Sequence, residues 1–306
     1  MISSPDIFFQ SFQKDFHRIK AIYLIRMLEE NEKFETIFYE ETLDEDEKFN
    51  FKLALKSDLR QTYFHAIETF FELFFGLNPR GKKPNSDRDL IFTLTYSNFS
   101  ETYKKIRDIA ENENSLDFLD EEINFLNHKV TIGQYLFYMG FVKDNMDANL
   151  RKRIDESIEA IKSCVRILAK DFTTREEYNA YKHGLRIMPT TTNLAFADAE
   201  TGEVKFVWDL SDSMSFYTKM KDREELRMVT KLFDTERDYK MTILCSDFIH
   251  YMVFFRRVSM RLKGDEGKFD KVEVGFTSQE VVNEASKINV EVQNLIYTVT
   301  KVAGSR

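Results

Sequence analysis

Residues 49–77 constrain this chain more than any other stretch. Leu53, Leu55, Leu59, Tyr63, Phe64, Ile67, Phe70, Phe71, Phe74 and Phe75 recur there at helical spacing and cover a broad face. A helix this aromatic must be buried within its own fold or in an oligomer interface, because water would face too much apolar surface. Gly76 and the Asn78-Pro79 pair stop it. The chain must therefore build other helices around this one.

The remaining sequence supplies them. Helical periodicity predicts further helices over residues 5–31, 87–93, 99–111, 116–126, 132–142, 150–171 and 238–262. The helix over 150–171 is amphipathic, with Ile154, Ile158, Ile161, Val165 and Leu168 on one face. Only 10 Gly and 4 Pro occur in 306 residues, and 29 Phe supply core material, which favours long helices over a many-turned β fold. The pattern changes at residues 193–197 and 203–210. These are short β-compatible runs around Asp198-Ala-Glu-Thr-Gly202, with Val204, Phe206 and Trp208 alternating against Lys205 and Asp209. Residues 227–233 suit a strand or a helix, 269–276 suit a strand, and 280–302 mix both periods. The predicted architecture is mainly α, a helical bundle with a small β hairpin insertion. Residues 1–186 form the bundle, 187–234 the insertion, and 235–306 complete the same domain.

The net charge of -8 disfavours non-specific binding to nucleic acid. Cys164 and Cys245 sit among apolar residues and form no Cys-x-x-Cys pair, so two buried free thiols are expected. No apolar run approaches the ~20 residues of a membrane span, and the first residues lack the features of a secretory leader. A soluble, cytoplasmic chain with no membrane association and no cofactor is expected.

One short polar stretch can carry chemistry: Arg175-Glu-Glu-Tyr178-Asn179-Ala-Tyr-Lys182-His183-Gly184. Thr173 and Thr174, followed by Glu176 and Glu177, form a capping-box pattern, and Gly184 is placed to end the helix. On that helix Arg175, Asn179 and His183 share a face at i, i+4 and i+8. A neutral imidazole can take a proton from a ribose hydroxyl, and a cation can hold the phosphate through the transition state. An amide can orient the ring. Lys182 lies to one side, and Arg186 joins the stripe if the helix continues. The alternative reading is local stability: His183 at a helix C-terminus, with Arg175 and Asn179 on a solvated face.

The Asn179-x-x-x-His183-Gly184 segment resembles the Asn-x-x-x-His core of the HEPN proteins (higher eukaryotes and prokaryotes nucleotide-binding). The aromatic stretch from Asp58 through Arg60 and His65 to Glu68 is similar to the early HEPN helix. Tyr178 stands where the family most often carries its arginine, and Arg175 lies a full turn earlier. The resemblance implies a helical, homodimeric protein of a bacterial antiviral-defence or stress system. Its implied partners are RNA and a cognate antitoxin or defence protein. It also implies metal-independent RNase activity, with His183 as general acid or base, Asn179 orienting it, and Arg175, Lys182 or Arg186 holding phosphate. Other members of the family have lost catalysis and bind partners, and that reading stands beside the first.

A third reading is a metal-binding bundle. His65, Glu68 and Glu72 share one helix face, and Asp247 and His250 form an Asp-x-x-His on another helix. The chain has no Glu-x-x-His, no phosphate-binding glycine loop and no His-Glu-x-x-His. Basic clusters at 80–83, 151–153 and 256–263 are solvated faces or an RNA track.

Overall fold

A computed structural model describes residues 5–30, 33, 43–80, 94–125, 128–138, 147–173, 178–180, 187–189, 193–198, 200–219, 225–262, 275–287 and 295–300. The protein is mainly α. The helices are α1 (Pro5–Ser11), α2 (Phe16–Glu29), α3 (Glu45–Leu77), α4 (Phe99–Glu111), α5 (Ile132–Phe137), α6 (Ala148–Thr173), α7 (Thr235–Leu262) and α8 (Gln279–Ser286). The strands are β1 (Glu122–Phe125), β2 (His128–Thr131), β3 (Ile187–Pro189), β4 (Asn193–Ala197), β5 (Val204–Asp209), β6 (Ser213–Lys219), β7 (Glu225–Leu232) and β8 (Leu295–Thr300). No helix among the described residues is long and apolar enough to cross a membrane.

The chain divides into two compact units. One comprises Met1–Ile19, His65–Thr173 and Met241–Ile288, and the other Lys20–Phe64, Thr174–Lys240 and Asn289–Arg306. Neither is a continuous stretch of chain. Helices α2, α3 and α7 each contribute one part to each unit.

The first unit is built on the C-terminal half of α3. Phe70, Phe71 and Phe74 are sealed from solvent. Phe70 meets Phe248 of α7 at 5.8 Å between ring centres, and Phe74 meets Phe118 at 5.9 Å and Phe137 at 6.3 Å. The amphipathic face expected on α6 is buried at each of its five positions. A capping box between Thr131 and Gln134 starts α5, with both reciprocal bonds at 3.1 Å. A Cβ on Gly133 would stand 2.9 Å from Ile158 Cγ2, so α5 approaches α6 only because that residue lacks a side chain. The Tyr138 hydroxyl shares a 2.5 Å hydrogen bond with Ser157 Oγ, which also accepts from the Thr277 amide at 2.7 Å. These bonds tie the segment before α8 to α6.

Two predicted helices are corrected. The helix expected over 5–31 is interrupted at residues 12–15 and forms α1 and α2, and within the stretch 116–126 residues 116–120 end a 3-10 segment, Glu113–Asp120, while 122–125 form β1. Leu116 and Leu119 are three apart and buried, which suits a 3-10 turn. Beyond them Ile123 and Phe125 turn inward while Glu122 and Asn124 face solvent. The period changes from 3 to 2 within one window, and a single periodicity hides the switch. The predicted helix over 132–142 is observed as far as Phe137, and the helix over 87–93 lies outside the described residues.

In the second unit, Ala21, Leu24 and Met27 of α2 pack on Leu55 and Leu59 of α3, with Phe51 and Tyr239 alongside. Lys20 reaches Asp58 at 2.7 Å. The predicted hairpin is β4–β5, paired antiparallel with Phe196 opposite Phe206. Its turn uses Gly202 at φ +71°, a conformation glycine adopts without strain. Asp198 accepts from the amides of Glu200 and Thr201. Lys205 first and those amides second pull its carboxyl down to about 2.

The β content exceeds that hairpin. A separate antiparallel sheet runs in the order β3-β6-β7-β8. Residues 227–233 are therefore strand, and the mixed stretch 280–302 resolves into α8 and β8. Pro189 sits in the edge strand β3, where its missing amide costs no ladder bond on the open side. Ser215 and Thr230 face each other across β6 and β7 and share a buried 2.7 Å hydrogen bond.

Both cysteines are buried free thiols. Burial pushes the Cys164 thiol up to about 12 and the Cys245 thiol well above its ordinary value. A raised folded-state value keeps both protonated at neutral pH, and the thiolate is the reacting form. Native protein should leave a chromogenic disulfide reagent almost unreacted, and denaturant should release two titratable thiols. Rapid labelling of the native protein at pH 7.5–8 (an ordinary assay range, roughly one unit below a free thiol's ~8.5) would contradict that burial.

Candidate functional site

The segment with the candidate catalytic stripe is partly described. Residues 178–180 are helical. Arg175, Lys182, His183 and Arg186 lie outside the described residues, so the stripe is visible only at Asn179. Tyr178 is 1% exposed and Ala180 is fully buried. Adjacent helical residues are ~100° apart, so Asn179 has a buried neighbour on each flank and is itself half-buried. Asn179 is thus neither sealed in the core nor fully exposed.

Tyr178 occupies the position that carries arginine in the pattern this segment resembles. Its ring lies 5.5 Å from Phe64, itself sealed from solvent. A guanidinium in that position would be buried among aromatic rings. A cation over the Phe64 ring is Arg60, whose guanidinium carbon stands 4.8 Å from the Phe64 ring centre and 5.8 Å from that of Tyr63. Arg60 also holds Asp238 at 2.5 Å, with the aspartate 1% and the arginine 17% exposed. Asp238 belongs to the first turn of α7, where the unsatisfied amides of a helix start favour a carboxylate. In the sequence Arg60 stands out only as part of the aromatic stretch from Asp58 to Glu68. The structure gives it a partner 178 residues away in the chain.

The other candidates are placed as follows. Asp247 of the Asp-x-x-His pair forms an ion pair with Arg18, and His250 Nδ1 lies 3.3 Å from Asp15 Oδ1. Burial pushes the Asp247 carboxyl up against the opposing pull of Arg18. Burial acts the same way on Asp15, but Lys14 and His250 outweigh it and hold that carboxyl below its ordinary value. These groups tie the α1–α2 junction to α7. Among the described residues no group of three or more His, Cys, Asp or Glu is arranged to hold a metal ion.

One arginine of each basic cluster lies over an aromatic ring. Arg80 stands 5.9 Å over Phe118 and pairs with Glu121 at 2.7 Å. Arg153 lies 4.2 Å over Phe276, and the buried Arg256 lies 4.4 Å over Tyr135. Such cation–π placements use the flat guanidinium as packing material.

The first unit also contains a cavity of about 620 Å³ between the end of α3, the start of α4 and the 3-10 segment. No periodicity argument could have found it, because its walls come from three separate stretches. No family model matches this chain, and neither a curated protein nor a solved structure gives a significant match.

Proposed function

We propose that this is a HEPN-like helical protein of a bacterial defence or stress system that works as a homodimeric binding module without cleaving RNA. The observation that carries this reading is the burial of Tyr178 against Phe64. With tyrosine sealed in the core there, the segment has no cation at the position that best matches the family's arginine. Arg60, a cation over the Phe64 ring, is held by the buried Asp238, so it is not available to a transferring phosphate. The half-buried Asn179 keeps part of its surface exposed, which suits contact with a partner such as RNA, a cognate antitoxin or another defence protein.

The competing reading keeps catalysis. His183 then acts as general acid or base, Asn179 orients it, and Arg175, Lys182 or Arg186 binds phosphate. The half-burial of Asn179 supports this reading too, since a reacting group needs a partly enclosed position. RNA cleavage in chelator separates the two. The binding-module reading expects wild type to cleave no faster than His183→Ala. Cleavage by wild type that is lost in His183→Ala would overturn it in favour of the nuclease. Sedimentation equilibrium should give twice the 36.3 kDa chain mass, and a monomer at micromolar concentration would remove the homodimer.

A further inference from the structure

The cavity beside α4 has features of a built site. Its walls include the half-buried rings of Phe75 and Phe118. Lys105 Nζ stands 5.4 Å from the Phe75 ring centre, and Arg80 lies over Phe118. Arg80 is neutralised by Glu121. Lys105 has no carboxylate partner among the described residues, although its helix offers Glu101 and Asp108 on the same face.

Two lining amides have their orientation set by the backbone. Asn98 caps α4, its Oδ1 accepting from the Ser100 amide at 2.9 Å. Asn78 Oδ1 accepts from the Arg80 amide at 3.0 Å. Because each carbonyl oxygen is committed, each side chain has its NH2 group left as a donor. The cavity thus combines flat aromatic walls, two amide donors and one ammonium without a carboxylate partner. Its volume falls in the range of small-molecule sites, roughly 300–1,000 Å³.

We propose that this cavity binds a small aromatic anion: a flat ring carrying one carboxylate or one phosphate group. The ring stacks between Phe75 and Phe118, offset-stacked aromatic contact being favourable. Lys105 takes the anionic group through a charge-assisted hydrogen bond. The NH2 groups of Asn78 and Asn98 donate to ring or carbonyl acceptors. The carboxylates of Glu72, Glu101 and Asp108 also line the site; they repel ligands that carry a second anionic group. The site is independent of the function proposed for the Asn179 segment.

Calorimetric titration of the full chain tests this with four probes. Benzoate and adenosine monophosphate represent the carboxylate and phosphate sources, and adenosine and inorganic phosphate each lack one half of the chemistry. Binding of benzoate or adenosine monophosphate, at least tenfold tighter than adenosine and inorganic phosphate, is expected. Lys105→Gln should weaken that anion about tenfold and leave adenosine unchanged. Lys104→Gln, an exposed change outside the cavity, should leave all four unchanged. No binding of benzoate or adenosine monophosphate at millimolar concentration overturns the proposal. So does a Lys105→Gln protein that binds the anion as wild type does, or a Lys104→Gln protein that weakens equally.

Discussion

Phe70→Ala is expected to destabilise the protein by about 3–5 kcal/mol. Phe70 is 0% exposed, and its ring lies 5.1 Å from Phe71, 5.5 Å from Phe74 and 5.8 Å from Phe248. Truncation loses the transfer free energy of the ring and leaves a cavity that neighbours on α3 and α7 can only partly fill. Phe137 also touches Phe248, at 6.0 Å, so the gap opens into a continuous aromatic cluster. Phe70→Leu retains most of the apolar volume and should lose less than half as much. Urea titration followed by circular dichroism measures both. A loss below about 1 kcal/mol for the alanine variant would mean that this cluster is not packed as described.

Asp238→Ala should be nearly as damaging, at about 3–5 kcal/mol. It removes the counter-charge of Arg60 at a position where the aspartate is 1% and the arginine 17% exposed. Most of the loss comes from leaving a desolvated guanidinium without its partner. A smaller part comes from the lost carboxylate at the start of α7. The double change Arg60→Met with Asp238→Leu should therefore recover much of the stability. Replacing a buried pair with well-packed apolar groups is often neutral. The same urea titration decides it. A double variant as unstable as Asp238→Ala alone would show that the pair contributes more than charge compensation.

Legibility from sequence followed the range of the interactions. The face of α6 and the turn at Gly202 depend on neighbours within one or two turns of chain, and both are found as expected. The stretch 116–126 failed because two periods meet inside it. The four-stranded sheet was missed because β8 pairs with β7 across a long chain separation, and Glu225–Leu232 carries no alternation strong enough to declare a strand by itself. At the candidate site, spacing could identify Asn179 as a member of a polar stripe. It could not show that Tyr178 and Ala180 are buried on either side, because the packing of a short helix depends on distant chain.

The same distinction holds for Arg60. Its sequence surroundings offered only membership of an aromatic stretch, while its energetic role comes from Asp238, 178 residues further along. The aromatic run of α3 by itself determined that this chain would be mainly helical, since so much apolar surface at helical period must be buried. Only the tertiary structure decided which charges became buried partners, which arginines lie on rings, and where a cavity remains. Helical periodicity is a property of neighbouring residues, whereas burial and electrostatic pairing are properties of segments brought together by folding.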